Sequence, residues 1–85
     1  MAFPRVIVYG TATCVDTRVT RRFLDNAQVP YEYIEVIGNP EAEEKVKAWN
    51  NGYRITPTVL VGDGLVFAGT NSSHGVALML GMAAL

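Results

Sequence analysis

The sequence predicts an α/β domain with a mixed four-stranded sheet flanked by helices. A short apolar run at residues 5–9 precedes a helical pattern, and a second strand pattern follows at residues 31–36. Two further strand patterns are joined by Gly62-Asp63-Gly64. A helix between two strands predicts a parallel pair with a right-handed crossover, whereas a tight glycine turn predicts an antiparallel hairpin. The predicted order is therefore βαβ, then a hairpin and a final helix.

The composition is that of an ordinary globular protein. The 85 residues (1–85) suffice for one domain with a modest core, and 49% of them are apolar. A net charge of -1 gives no electrostatic case for binding nucleic acid. No signal-peptide pattern follows Arg5 and no apolar window could span a bilayer, so we expect a cytoplasmic protein.

The first strand and helix are predicted from residues 5–26. The run at residues 5–9 is rich in β-branched residues without polar alternation, which is typical of a strand buried on both faces. Gly10 ends it, and Thr11 or Thr13 is expected to cap a helix over residues 15–26. The expected buried stripe of this helix comprises Val15, Val19, Phe23, Leu24 and Ala27, with Arg18, Arg21 and Arg22 on a solvated face.

The second strand and helix are predicted from residues 31–52. Glu32 and Glu35 place one acidic residue on each face of the strand at residues 31–36, which favours an edge position. Gly38-Asn39-Pro40 predicts a turn into a helix with proline in its first position. This helix is expected to bury Ala42, Val46 and Trp49, and to end at Asn50-Asn51-Gly52 with a left-handed Gly52.

The last third of the chain predicts the hairpin and a final helix. The hairpin strands cover residues 58–61 and 65–68, and a polar turn at residues 69–73 leads to a helix over residues 73–85. No Asp, Glu, Lys or Arg follows Asp63. A helix without charges is either buried in an oligomer or leaves an apolar patch of the kind that marks an interface. We therefore predict a homodimer formed through this C-terminal helix.

Cys14 is the only cysteine, and it lies where the first strand turns into the first helix. A single cysteine excludes an internal disulfide and a cysteine-rich zinc site. At a helix N-terminus the converging N–H groups and the helix dipole favour the thiolate, which is the reactive form. The alternative is a small buried apolar side chain. Asp16 adds a negative charge nearby and is expected to raise the pKa of Cys14.

The element order, the cysteine after the first strand and the Thr56-Pro57 pair before the third strand resemble the glutaredoxin branch of the thioredoxin fold. The run Gly-Tyr-Arg-Ile-Thr-Pro-Thr-Val at residues 52–59 is similar to that of the mycoredoxin-like subgroup. The resemblance implies that Cys14 is the nucleophile, that Pro57 is cis and that Arg54 meets a carboxylate of a small thiol. It implies a thiol- and substrate-binding set of Thr13, Arg54, Thr56, Pro57, Gly69, Thr70, Asn71 and Ser72.

Several departures from that family pattern bear on activity. The dithiol form of the family has a second cysteine where this chain has Thr17, so an internal disulfide cannot resolve the reaction. A frequent lysine is replaced by Thr11, and together with Asp16 this predicts a milder nucleophile than in a dithiol enzyme. Each remaining candidate also has a structural interpretation: Arg54 and His74 as surface residues, Thr70, Asn71 and Ser72 as helix caps, and Trp49 and the tyrosines as packing residues.

Three hypotheses of function follow. The first is a monothiol glutaredoxin-like thiol–disulfide oxidoreductase. It would have no permanent cofactor and no metal, glutathione or mycothiol as co-substrate, and protein disulfides as partners. The second is a protein that holds an iron–sulfur cluster between two chains, each giving one cysteine and one glutathione. The third is a thioredoxin-fold interaction module without catalysis, which Asp16 and Thr17 make credible.

Overall fold

The computed structural model of the chain describes residues 4–69 and 75–76, and in them it shows four strands and two helices. In chain order these are β1 (Val6–Gly10), α1 (Val15–Asn26), β2 (Glu32–Glu35), α2 (Pro40–Trp49), β3 (Thr58–Val61) and β4 (Leu65–Ala68). The sheet order is β2-β1-β3-β4, with β1 parallel to β2 and antiparallel to β3, and β3 antiparallel to β4. The mixed sheet and the edge position of β2 are therefore confirmed.

The two helices cover opposite faces of the sheet. Val6 and Val8 of β1 pack in one core cluster with Phe23 and Leu24 of α1. The alternate strand residues, Ile7 and Tyr9, pack in a second cluster with Ala42 and Val46 of α2. Successive strand residues point to opposite faces, so β1 is buried on both sides, as its unbroken apolar run predicts.

The predicted buried stripe of α1 is wrong in its first half. Val15 and Val19 are 61% and 54% exposed, whereas Thr17 and Thr20 are buried beside Phe23 and Leu24. A strict four-residue repeat drifts by about 40° per step around a helix of 3.6 residues per turn. Residues at the start of the repeat are thus rotated away from the face that its end presents to the sheet.

Helix α2 begins as predicted. The Asn39 side chain accepts a hydrogen bond from the Ala42 amide at 3.2 Å, and Pro40 occupies the first turn. At the other end Gly52 has φ +92° and donates its N–H to the Lys47 carbonyl at 2.7 Å.

The sequence suggested that Trp49 and the tyrosines serve packing, and the structure bears this out only in part. Trp49 is 36% exposed, so the prediction that α2 buries it is wrong, although its ring meets that of Tyr9 edge-on with ring centroids 5.3 Å apart. Tyr53 is 70% exposed, so the packing prediction is wrong for this residue.

Gly75 and Val76 are helical, and Val76 is fully buried in the cluster under α1. The remainder of the predicted last helix lies outside the described residues, as does its predicted dimer surface. Within the described part of the chain, no helix combines the length and the apolar character needed to cross a membrane.

Candidate active site

A tight turn presents Cys14 at the start of α1. The Cys14 amide donates to the Thr11 carbonyl at 3.0 Å, and the Cys14 carbonyl accepts the amide of Arg18 at 3.1 Å. Cys14 itself is the N-cap residue, with extended backbone angles (φ -80°, ψ 126°), and its sulfur accepts no helix N–H at full hydrogen-bond distance. The prediction that Thr11 or Thr13 caps the helix is therefore wrong: the thiol side chain stands in the capping position.

The thiol is partly buried and lies against the loop before β3. Its sulfur is 3.7 Å from the carbonyl oxygen of Thr56, to which the protonated thiol donates. The Thr17 amide contributes most to lowering the pKa of Cys14 below its ordinary value, and partial burial opposes it. The hydroxyls of Thr17 and Thr56 and the Asp16 amide lower the pKa further. These are the donors that a helix N-terminus offers to an anion, so the fold favours the thiolate.

Asp16 contributes to the site through its backbone. Its carboxylate was expected to raise the pKa of Cys14, but the pKa is lowered, and the Asp16 N–H is among the groups that lower it. The position in the first turn explains the difference, because the amides of residues two and three places after the N-cap point at the capping group whatever side chains they carry. Whether the nucleophile is milder than that of a dithiol enzyme stays a prediction.

Thr17 fills a tightly packed place between the helix and the first strand. It is fully buried, and its hydroxyl oxygen accepts the Thr11 amide at 3.4 Å. A methyl group placed on Gly10 would lie 2.5 Å from Thr17 Cγ2 and 2.7 Å from its hydroxyl oxygen. Thr17 therefore interacts with Gly10 of β1, with the Thr11 amide of the turn and with the Cys14 thiol.

The loop before β3 brings two more predicted residues to the site. The Thr56–Pro57 peptide bond is cis, as the resemblance implied. The Pro57 carbonyl accepts the Gly69 amide at 2.8 Å, and Gly69 has φ +80°, a conformation that favours glycine. Hydrogen bonds thus connect Cys14 to Thr56 and Pro57 to Gly69.

Two further predicted site residues are exposed, and the rest lie outside the described part of the chain. Thr13 is exposed on the turn beside Cys14, and Arg54 is exposed two residues before Thr56. Thr70, Asn71, Ser72 and His74 lie outside the described residues.

Sequence reasoning missed a polar cluster on β2. Glu35 Oε1 accepts the Ala12 amide at 3.0 Å and the Tyr33 hydroxyl at 2.9 Å. The Arg21 guanidinium lies 3.9 Å over the Tyr33 ring and donates to the Tyr31 hydroxyl at 3.3 Å, so Arg21 is not simply solvated. The signal that could have found Glu35 is its place at the carboxyl end of β2, because ends of parallel strands meet at one edge of the sheet, beside the turn after β1.

Among the residues that the structure describes, no three His, Cys, Asp or Glu side chains gather closely enough to hold a metal ion.

A cysteine at a helix N-terminus facing a cis-proline loop, on a mixed sheet of this order, defines a thioredoxin-like protein. The structure is similar to that of NrdH-redoxin from Escherichia coli, a glutaredoxin-like protein, with a TM-score of 0.67, 35% identity and coverage of 78% of this chain and 83% of the other. A glutaredoxin from Methanosarcina mazei Go1 shares the fold with a TM-score of 0.74 at 24% identity, over 96% of this chain and 85% of the other.

Comparisons of sequence identify the family. The glutaredoxin family model matches residues 6–66, and the chain belongs to the glutaredoxin family. It is 41% identical to mycoredoxin 1 of Corynebacterium glutamicum over 59 residues, which cover 69% of this chain and 72% of the relative. It is 36% identical to the glutaredoxin-like protein NrdH of Escherichia coli K12 over 59 residues, 69% of this chain and 70% of the relative. The predicted family and thioredoxin-like fold are thus confirmed.

Proposed function

We propose that this chain is a monothiol thiol–disulfide oxidoreductase that removes a small thiol, glutathione or mycothiol, from protein mixed disulfides. One observation carries the proposal: the Cys14 sulfur occupies the N-cap of α1, where hydrogen-bond donors lower its pKa, and it faces Thr56 beside cis-Pro57. A lowered pKa favours this activity over the interaction module without catalysis.

The reaction needs only one protein cysteine. The Cys14 thiolate attacks the small-thiol sulfur of the mixed disulfide, a new S–S bond forms at Cys14, and the substrate protein leaves as a thiolate that takes up a proton. A second small thiol, as its thiolate, then attacks the small-thiol sulfur of the Cys14 adduct. This releases the oxidised small-thiol dimer and the Cys14 thiolate. The net change reduces one substrate cysteine and oxidises one free small thiol, which leaves in a disulfide with the small thiol that the substrate carried.

The presence of threonine instead of a second cysteine at position 17 favours small-thiol mixed disulfides as the substrates. A disulfide within a substrate protein would leave that protein bound to Cys14, with the freed substrate thiol well placed to reverse the attack. Without a second cysteine, this chain depends on an external thiol to complete the reaction. The NrdH-redoxin of Escherichia coli, to which this chain is similar, is described as having a thioredoxin-like activity profile.

The other predicted site residues take binding roles in this proposal. The exposed Arg54 guanidinium is available to pair with a carboxylate of the small thiol. The Thr56 backbone would pair with the backbone of the bound thiol, with Thr13 and Gly69 bordering it. Thr70, Asn71 and Ser72, outside the described residues, would receive the far end of the small thiol.

The proposal is tested by the pH dependence of Cys14 alkylation, followed by incubation with glutathione disulfide and with mycothiol disulfide. We expect the thiol to titrate below the free-cysteine value of about 8.5 and one adduct per chain to form with at least one of the two. The Arg54→Ala variant should bind the small thiol more weakly and leave the alkylation profile unchanged. A thiol that titrates normally and resists adduct formation would refute the proposal.

We further propose a cytoplasmic location, where a lone free thiol stays reduced, and self-association. The dimer would form through the C-terminal helix predicted over residues 73–85, of which the structure describes only Gly75 and Val76, with Val76 buried in the core of its own domain. This stretch contains no Asp, Glu, Lys or Arg. Sedimentation over a range of concentrations should show a dimer, and a monomer at the highest concentration would exclude this arrangement.

A further inference from the structure

Glu35 is a partly buried residue of the edge strand β2, and its carboxylate accepts three hydrogen bonds. Oε1 accepts the Ala12 amide at 3.0 Å and the Tyr33 hydroxyl at 2.9 Å, and Oε2 accepts the Ile37 amide at 3.3 Å. Partial burial opposes ionisation of the carboxyl group, but these donors, with the Val36 amide, outweigh it and hold the pKa of Glu35 below its ordinary value. The side chain is therefore an ionised acceptor.

The contact with Ala12 lies where it can control the thiol. Ala12 is the second residue of the turn that the Cys14 amide closes on the Thr11 carbonyl. Ala12 and Thr13 are both exposed, so their side chains give the tip of the turn little packing. Two backbone amides of the turn bond instead to side chains: Thr11 to Thr17 of α1, and Ala12 to Glu35 of β2.

Building on the proposed function, we infer that Glu35 is a positioning residue for Cys14. Its carboxylate anchors the Ala12 amide to the edge of the sheet and thereby fixes the turn that places the sulfur against the amides of α1. Glu35 does not touch the reacting atoms. It acts through the backbone of residues 11–14.

The alternative is an effect of charge alone, and the two mechanisms shift the pKa of Cys14 in opposite directions. Loss of a negative charge would favour the thiolate and lower the pKa of Cys14. Loss of an anchor would let the turn move away from the helix amides and raise it. The other charged and titratable groups here are Tyr33, Arg21 over the Tyr33 ring, and Asp16 in the first turn of α1. Burial and the hydrogen bond to Glu35 raise the pKa of Tyr33, and the Cys14 charge adds a small contribution in the same direction.

The experiment compares Glu35→Ala with Glu35→Gln. The alanine variant removes both anchor and charge, whereas the glutamine variant removes the charge and keeps an oxygen acceptor for the Ala12 amide. Glu32→Ala is the matched control, because Glu32 is an exposed carboxylate of the same strand that pairs with Arg5 at 2.8 Å. Alkylation of Cys14 is followed from acid to alkaline pH in all four proteins.

We expect Glu35→Ala to raise the pKa of Cys14 and to slow alkylation at neutral pH by about fivefold to tenfold, the effect of one typical hydrogen bond. Glu35→Gln should stay close to the unchanged protein, and Glu32→Ala should match it. Equal lowering of the Cys14 pKa in both Glu35 variants would overturn the inference, since charge alone would explain it.

Failure of the inference can be told apart from failure of the proposed function. An activated thiol in the unchanged protein that is unaffected in both Glu35 variants overturns only the role of Glu35. An unactivated thiol in the unchanged protein overturns both.

A second test of the inference uses the unchanged protein and does not depend on whether the Glu35→Ala variant folds. The amide resonance of Ala12 should shift as Glu35 titrates below the ordinary carboxyl pKa of about 4.3, and this shift should vanish in Glu35→Gln. An Ala12 amide that does not respond to this titration would overturn the inference.

Discussion

At the scale of single residues, Thr17 replaces a second cysteine but supplies hydrogen-bond donors to the Cys14 thiol. From the sequence, Thr17 marks the absence of a second cysteine. In the structure its amide and its hydroxyl are both among the groups that lower the pKa of Cys14. A threonine three residues after the N-cap keeps the backbone donor that any residue would supply and adds a hydroxyl donor of its own.

Replacing Thr17 by valine tests the hydroxyl. The change keeps the branched shape but removes one donor to the thiolate, so the pKa of Cys14 should rise and alkylation at neutral pH should slow by up to about tenfold. It also leaves the Thr11 amide without its acceptor. Chemical denaturation should therefore show a loss of about 1–3 kcal/mol in the free energy of unfolding.

Thr17→Ser is the matched control for that experiment. Serine keeps the hydroxyl and loses only the methyl group that packs on Gly10, so the pKa of Cys14 should stay low while stability falls by about 1 kcal/mol. If valine and serine left the alkylation profile equally unchanged, the hydroxyl would have no part in activating the thiol.

The sequence predicted the residues of the site that a local pattern identifies, and missed those that only tertiary pairing places. Cys14, Thr56, Pro57 and Gly69 follow from motifs, and the structure brings them together. Glu35 carries no motif, because its role depends on the register that sets Gly10 beside it in the parallel pair. The lowering contribution of the Asp16 amide was missed because the sequence prediction placed the N-cap at Thr11 or Thr13 and not at Cys14.

At the scale of elements, the packing of α1 on β1 depends on one glycine. The helix bounds were predictable from turn and capping residues, but its buried face was not, because Thr17 and Thr20 replace apolar residues on the side that meets the sheet. Gly10 is the reason that Thr17 can approach so closely. The φ of Gly10 lies outside the left-handed region, so the residue is required for space and not for backbone freedom.

Substitution of Gly10 by alanine should therefore force α1 away from β1. The new methyl group would lie within 2.7 Å of two side-chain atoms of Thr17, and overpacking of this kind costs about 1–3 kcal/mol. Adding Thr17→Ala removes both atoms, so the double variant should be more stable than the sum of the single changes predicts, by about 0.5–3 kcal/mol. Chemical denaturation of the four proteins measures this coupling.

A second glycine provides the control for the packing experiment. A methyl group on Gly64 would meet nothing within 4 Å, and its φ is not positive, so Gly64→Ala should leave stability nearly unchanged. Additive effects of Gly10→Ala and Thr17→Ala would mean that the two residues do not share this contact.

At the scale of the whole molecule, ionisation of the Cys14 thiol and the folding stability of the protein are thermodynamically linked. The folded protein lowers the pKa of Cys14 below its unfolded value, so ionisation of the thiol stabilises the folded state. This contribution is fully present above the unfolded pKa of about 8.5 and is lost as pH falls through the folded pKa. A disulfide at Cys14 removes the ionisable group, and the contribution with it.

The reduced protein should accordingly gain stability over its Cys14 methyl disulfide as pH rises toward about 8.5, and the difference should then level off. The methyl adduct is chosen because it lacks the charged groups of glutathione, so binding contacts of a natural thiol do not enter. Denaturant unfolding of both forms at several pH values measures the difference, and Cys14→Ser against the adduct should show no such slope. A difference that is constant between about pH 5 and 9 would show that the fold does not stabilise the thiolate. Where the slope is present, the same stabilisation would make Cys14 a good leaving group in the second step of the proposed reaction, so the donors that favour its attack would also speed its release.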